Sequence, residues 1–340
     1  MPKQKNILVI RLSAMGDVAM TVPVLRALTQ KYPELKITVL TRAFFKPFLR
    51  DLENVEVFSA DVKGDHKGIF GLFKLAKELN KKQFLFVADL HNVLRSKILK
   101  KFIKCKHFIS VDKGRKEKGL LTSGKAFRQL KTTHQRYADV FEGLGFKIDL
   151  ANPTFPKRVK LSDKLLNVLG EQHTTKKSIG IAPFAAHEGK MYPLSSMKNV
   201  IESLSKNYTI ILFGGGKYES EILNGYQNSF DNTINLAGKL SLDEEMDVIS
   251  NLDVMLSMDS GNAHIAAMLG IKVITIWGVT HPYAGFAPFN QPEHYGLMAD
   301  RNIFPLIPTS VYGNKYPETY KEASGSISAE AVVNKIESVL

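Results

Sequence analysis

The residues able to do chemistry fall in five short loops, each placed directly after an apolar run of strand length. In the first, Ser13-Ala14-Met15-Gly16-Asp17, Gly16 permits a tight turn and Asp17 lands where a helix begins. The dipole of a helix start favours a carboxylate there, and a plain helix cap is the competing reading. The second loop is Met258-Asp259-Ser260-Gly261-Asn262-Ala263-His264. Small residues at the start of a helix leave backbone N–H groups open, and such a cradle suits a nucleotide pyrophosphate. His264 is placed to donate to a phosphate oxygen and Asp259 to hold the loop; an ordinary N-cap with a packed histidine is the alternative. The third loop, Ala186 to Pro193, carries Lys190, whose ammonium would neutralise a phosphate unless it is simply a surface lysine.

In the fourth loop, Gly214, Gly215 and Gly216 follow Phe213 and let backbone approach a ligand closely. The full G-x-G-x-x-G of dinucleotide-binding enzymes is missing, and so is the G-x-x-x-x-G-K-[ST] of P-loop proteins. The fifth loop, Asp89 to Ser96, offers His91 and Arg95 to an acidic ligand, or only an exposed arginine at a helix start. The single cysteine, Cys105, reads as a packing residue and rules out an internal disulfide. No Cys/His group has zinc spacing.

These loops need strands and helices to hold them. Strands are expected at Asn6–Leu12, Lys36–Thr41, Val55–Phe58, Phe84–Asp89 and His107–Val111, with helices at Val18–Gln30, across IFGLFKLAKELNKK and at Thr133–Leu144. A polar, Pro-containing stretch from Ile148 and a helix near Ser162–Gly170 lead to a Lys/Thr-rich segment, Gln172–Ser178. The pattern then restarts. Strands are expected at Ser178–Ala182, Tyr208–Phe213, Thr233–Leu236, Val254–Met258 and Val273–Trp277. Helices are expected at Leu194–Leu204, Glu219–Tyr226, Leu242–Ser250, His264–Leu269 and Ser328–Val339. Two β/α series in 340 residues imply an α/β protein of two Rossmann-like doubly wound domains facing across a cleft. The expected boundaries are 1–165 for the first domain, 166–177 for a linker, 178–325 for the second and 326–340 for a terminal helix.

The charge is divided as sharply as the pattern. Residues 178–340 hold 10 Lys+Arg and 17 Asp+Glu, a net of −7; the remaining 36 and 16 give residues 1–177 a net of +20. A basic first half suits an anionic partner such as a phosphorylated glycolipid, acidic lipid or nucleic acid, or is a solvated face. Aromatics interleave the basic stretch only at Phe102, Phe108 and Phe127, and no nucleic-acid recognition motif accompanies them. No apolar run reaches the length of a membrane span, and the N-terminus lacks the plan of a signal peptide. A cytoplasmic protein is expected.

The stretch Ile7–Leu28, with R-L-S-A-M-G-D-V and T-V-P-V-L-R-A-L, resembles the opening of the ADP-heptose:lipopolysaccharide heptosyltransferases, glycosyltransferase family 9. Ser257–Gly278 resembles that family's donor-site signature, and Asp89–Ser96 and Gln135–Gly145 resemble further segments in the same order. The resemblance implies a GT-B fold, with an acceptor-binding first domain and a nucleotide-sugar-binding second domain. It implies an inverting, metal-independent transfer of heptose from ADP-heptose to a lipopolysaccharide inner-core acceptor, an anionic glycolipid at the inner membrane surface where the protein would be peripheral, with no cofactor and no nucleic-acid partner. Asp17 becomes the general base, and Ser13, Met15, Gly16, His91 and Arg95 the acceptor contacts. Lys190, Gly214, Gly215, Asp259, Ser260, Gly261, Asn262 and His264 become the donor site, with Lys190 also stabilising the departing diphosphate. The terminal helix is implied to cross back onto the first domain. Relatives often carry a glutamate beside the second-domain glycines to hold the ribose; here Gly216 and Lys217 intervene before Glu219. A transferase or epimerase using another nucleotide sugar is the alternative activity, and a nucleic-acid-binding protein the non-enzymatic one.

Overall fold

The structure is a computed structural model that describes residues 5–170 and 176–340, so part of the expected linker lies outside the described residues. The chain forms β1 (Asn6–Ile10), α1 (Met15–Ala19), α2 (Thr21–Lys31), β2 (Lys36–Thr41), β3 (Val55–Ser59), α3 (Gly68–Asn80), β4 (Phe86–Asp89), α4 (Leu94–Phe102) and β5 (His107–Ser110). It continues through α5 (Arg115–Thr122), α6 (Thr133–Gly143), α7 (Asp163–Leu169), β6 (Ser178–Ala182), α8 (Leu194–Ser205), β7 (Thr209–Leu212), α9 (Gly216–Ser229) and β8 (Thr233–Asn235). It ends with α10 (Leu242–Ile249), β9 (Val254–Met258), α11 (Gly261–Met268), β10 (Lys272–Trp277), β11 (Gly296–Met298) and α12 (Ala329–Glu337).

Two compact units result. Residues 1–114 and 131–154 make the first, and 115–130 with 155–340 the second. The first sheet runs β3-β2-β1-β4-β5 and the second β11-β10-β9-β6-β7-β8. All neighbouring strands are parallel. Counted from each unit's own first strand, both sheets follow the order 3-2-1-4-5, and the second adds a sixth strand. Central strands covered on both faces read as near-continuous apolar runs, as NILVI and VMLSM do.

The helices lie where an apolar stripe recurs at helical spacing. α3 buries Leu72, Leu75, Ala76 and Leu79 against Leu8, Ile10 and Leu40 of the first sheet. Cys105 packs at the edge of that cluster, and burial pushes its thiol pKa up, in keeping with a packing role.

Several expectations need correction. The helix expected over Val18–Gln30 is two helices meeting at Met20. Pro23 has no N–H to give the Ala19 carbonyl, and Thr21 Oγ donates to the Val18 carbonyl at 2.7 Å, so the helical ladder breaks there. The first unit ends at Thr154 and not at residue 165, because Arg158 and Val159 already bond Leu252 and Ser250 of the second unit. Residues 115–130 belong to the second unit as well: Leu121 and Leu130 pack on Ala284. The terminal helix does not carry its apolar face to the first domain. Val332 and Ile336 of α12 are fully buried in the second unit's core with Val200, Ile201 and Leu204 of α8.

Ile336→Ala therefore opens a cavity in the second unit and is expected to cost about 2–5 kcal/mol. Urea unfolding followed by circular dichroism measures this; a loss within error of zero would remove α12 from the core.

Candidate functional site

In a doubly wound sheet the loops that can reach a ligand leave the carboxyl ends of the strands, where the strand order reverses. In the first unit that point lies between β1 and β4. Arg11 follows β1 directly, with its guanidinium buried. Its Nη1 donates to the Leu90 carbonyl at 2.7 Å, and its Nη2 pairs with Asp17 Oδ2. The Ala14 N–H donates to the same Oδ2 at 3.2 Å. Both contacts fall on one oxygen, so the helix-capping role and an available carboxylate coexist: Oδ2 is held and Oδ1 is left for a ligand. The Asp17 side chain is 27% exposed, enough for a hydroxyl to reach it.

The loop after β4 is wound around a second carboxylate. Asp89, fully buried, accepts the His91 N–H at 3.0 Å and the Asn92 N–H at 2.8 Å through Oδ1, and the Ser110 hydroxyl at 3.1 Å through Oδ2. Asn92 adopts φ +42°, and its side-chain amide donates to the Val111 carbonyl at 2.7 Å. This turn brings His91 back beside Arg11. Burial, then the charges of Arg11, Lys113 and Arg95, push the His91 pKa down to about 4. His91 is thus a neutral imidazole near neutrality, able to hydrogen-bond but not to offer charge, and Arg95, half-buried on the first turn of α4, is the cationic side chain of this loop. His91 Nδ1 and Arg11 Nε are buried without a hydrogen-bond partner, side by side at this reversal point. Ser13, Met15 and Gly16 form the partly exposed turn around Asp17. Tyr137 of α6 lies under the Arg11 guanidinium, 5.9 Å from its ring centre, and burial raises its phenol pKa, so it stays neutral.

The second unit repeats the arrangement between β6 and β9. Lys190 ends a short 3-10 turn, Glu188–Lys190, in the loop after β6. Its ammonium sits 2.7 Å from Asp259 Oδ2 and donates to the Asp259 carbonyl at 3.1 Å. Thr280 Oγ donates to the same Oδ2 at 2.9 Å. Lys190 is therefore a partly buried, paired cation and not a free surface lysine, and Asp259 ties the loops of Lys190 and Thr280 together.

Close backbone approach fixes the stem of Lys190. A Cβ on Gly278 would stand 2.3 Å from the Gly189 carbonyl oxygen, and one on Gly313, whose φ is +79°, would stand 2.6 Å from Lys190 Cγ. Ser260 caps α11 only by backbone; its Oγ is 3.0 Å from Ser257 Oγ. The first-turn amides, beginning with Gly261 and Asn262, so lack a side-chain cap and form the positive end of a short, otherwise buried helix. His264 is buried one turn along. In the loop after β7, Gly215 N–H donates to Glu219 Oε2 at 2.7 Å, which holds the Glu219 carboxylate beside Gly214 and Gly215 despite the intervening residues.

Sequence reasoning did not single out Arg11, Asp89 or Thr280 for these roles. Arg11 and Asp89 stand at strand ends, which was their signal; Thr280 carried none. Nor did it find the aromatic group of the second unit. There Phe127 meets His281 and Tyr283 at 5.1 and 5.0 Å, and the Arg301 guanidinium lies 3.6 Å over the Phe127 ring. Burial, then Arg301, lowers the His281 pKa to about 4.

Comparison with known proteins adds a family to this geometry. The model of glycosyltransferase family 9 (heptosyltransferase) matches residues 72–295. The lipopolysaccharide core heptosyltransferase OpsX of Haemophilus influenzae is 25% identical, over 88% of this chain and 86% of its own length. Lipopolysaccharide heptosyltransferase 3 of Escherichia coli is also 25% identical, over 78% of this chain and 80% of its own. Among solved structures, a family 9 glycosyl transferase from Veillonella parvula superposes with a TM-score of 0.75 at 19% identity, over 100% of this chain and 98% of that one. Heptosyltransferase WaaC of E. coli with ADP gives 0.71 at 20% identity, over 98% and 100%.

Two measurements follow from the geometry. The folded protein disfavours the charged form of His91, whereas the unfolded chain takes up that proton near pH 6.5. Stability present above about pH 6.5 is therefore lost as the pH falls toward about 4. His91→Gln should flatten that part of the stability–pH curve, by at most about 3 kcal/mol between its ends. The buried pair makes the second case. Lys190→Met leaves the Asp259 carboxylate uncompensated and is expected to cost about 3–5 kcal/mol, while Lys190→Met with Asp259→Leu recovers a large part of it. Urea midpoints of the two variants decide this.

Proposed function

The chain belongs to glycosyltransferase family 9, and from that premise we propose that it moves a heptose from ADP-heptose to a lipopolysaccharide inner-core acceptor, with inversion at the anomeric carbon and without a divalent cation. The observation that carries the reading is Asp17: one carboxylate oxygen is clamped by Arg11 and the Ala14 amide, and the other is left to accept a proton. The acceptor hydroxyl attacks the anomeric carbon as Asp17 Oδ1 takes its proton. The bond from that carbon to the diphosphate oxygen breaks, and ADP leaves with the electron pair.

Negative charge grows on the diphosphate in this step. The uncapped amides at the start of α11 and the remaining N–H of Lys190 are the donors aimed at it, and fixed donors of this kind lower the barrier as a metal ion would. Glu219 is the candidate ribose contact, through its anchor on Gly215. Arg95 and the neutral His91 receive the acceptor. The family's sequence relatives carry heptosyltransferase names, and solved E. coli WaaC structures hold ADP and ADP-2-deoxy-2-fluoro heptose, which supports the donor.

Asp17→Asn keeps the shape and removes the base. Transfer measured with ADP-heptose and a lipopolysaccharide core acceptor should fall by a factor of about 10²–10⁴. The rise in melting temperature that ADP-heptose produces by binding the native state should remain. Undiminished transfer in this variant would remove Asp17 as base, and a larger thermal response to UDP-, GDP- or CMP-sugars would replace the donor.

A further inference from the structure

Beyond the transfer site, the first unit exposes large apolar side chains in one place. Among its described residues they are Phe44, Ile69, Phe70, Phe73 and Leu94, each more than half exposed, with Phe70 at 87%. All five follow the carboxyl ends of strands. Phe44 lies in the 3-10 turn Ala43–Leu49 after β2, Ile69 to Phe73 in the first turns of α3 after β3, and Leu94 opens α4 after β4. In a parallel sheet the helix that follows each strand begins at the same edge, so these side chains share the edge that carries Asp17 and His91.

Two of the three aromatics rest on packed neighbours, while Phe70 stands almost fully exposed. Phe44 meets the buried Phe45 edge-on at 5.3 Å, and Phe73 meets Phe102 of α4 at 5.4 Å. Exposed lysines outnumber the exposed acids along these segments: Lys46 on the 3-10 turn, Lys63 and Lys67 before α3, Lys77 within it and Lys97 on α4, against Asp61 and Asp65 before α3, the latter paired with Lys74. Soluble surfaces rarely gather apolar side chains this way without a partner. The apolar tips with an excess of lysines match an anionic lipid surface, into whose headgroup layer aromatic and aliphatic side chains insert while lysines meet the phosphates.

We propose that this edge of the first unit docks on an anionic bilayer, with Phe70 and Phe73 as its apolar anchors. The docked face would bring the Asp17 turn to the lipid surface, where a lipid-borne acceptor presents its sugars. The proposal deepens the transferase reading, but its test needs no sugar and so stands or fails separately.

The full chain is sedimented with vesicles of phosphatidylcholine alone and of phosphatidylcholine with phosphatidylglycerol. It should bind the anionic vesicles at least about ten-fold more strongly, and added salt should weaken that binding. Phe70→Ser with Phe73→Ser should lower it about ten-fold or more at a melting temperature lowered only slightly, because Phe70 is 87% exposed and Phe73 gives up only its edge contact with Phe102. Lys67→Glu with Lys77→Glu should lower it and reduce the salt dependence. In the serine variant, transfer to a lipid-free acceptor should be unchanged. Equal binding of wild type and serine variant to anionic vesicles would overturn the proposal. A concentration-dependent dimer that the serine variant abolishes, with no vesicle binding by either protein, would also overturn it and assign the face to a second copy of the chain.

Discussion

The handedness of the crossover connection is the constraint on which this protein's chemistry rests. A strand, a crossover and a parallel strand wind almost always to the right. A sheet built outward in both directions from its first strand must therefore send neighbouring loops to opposite faces at one point, and a crevice opens there. The chain uses this twice. The turn with Asp17 and the loop with His91 flank the reversal between β1 and β4, and the loops with Lys190 and Ser260 flank the reversal between β6 and β9. Four loops, separated by long stretches of sequence, become two sites because the strand order is the same in both units.

Each reversal point is organised by a carboxylate clamped by a partly or fully buried cation. Arg11 holds one oxygen of Asp17, and Lys190 holds Asp259 together with Thr280. The two pairs do different work. Asp17 remains partly exposed with only one oxygen clamped, while Asp259 is buried and its contacts with Lys190 and Thr280 tie loops together. A buried pair adds little net stability, since desolvating two charges offsets most of their attraction, but removing one partner is costly. Such a pair thus acts mainly as a geometric lock. The glycines at 278 and 313 belong to the same lock, because any side chain there would displace the lysine or its loop.

How far the sequence could be read varies with burial. Central strands such as Lys36–Thr41, Ser178–Ala182 and Val254–Met258 were legible to the residue, since a strand covered on both faces reads as a short, mostly apolar run bounded by polar turns. α4 and α5 were not expected as elements: LRSKILKKF and RKEKGLLT carry many charges and few apolar residues, so the helical stripe is thin. The three-residue β11 is too short to carry a pattern. The break between α1 and α2 was written in Pro23, but the apolar spacing on both sides hid it.

By itself the sequence determined the α/β class, the duplicated series of elements and the loops that hold Asp17, His91, Lys190 and Ser260, because periodicity and turn composition are local properties. Tertiary structure alone decided the pairings: Arg11 with Asp17, Lys190 with Asp259, α12 with α8, and residues 115–130 with the second unit. Those depend on which distant segments share a desolvated space, and an isolated stretch of chain carries no record of its neighbour's charge or shape. The same holds for His91, whose neutrality comes from the burial and the positive charges that folding gathers around it.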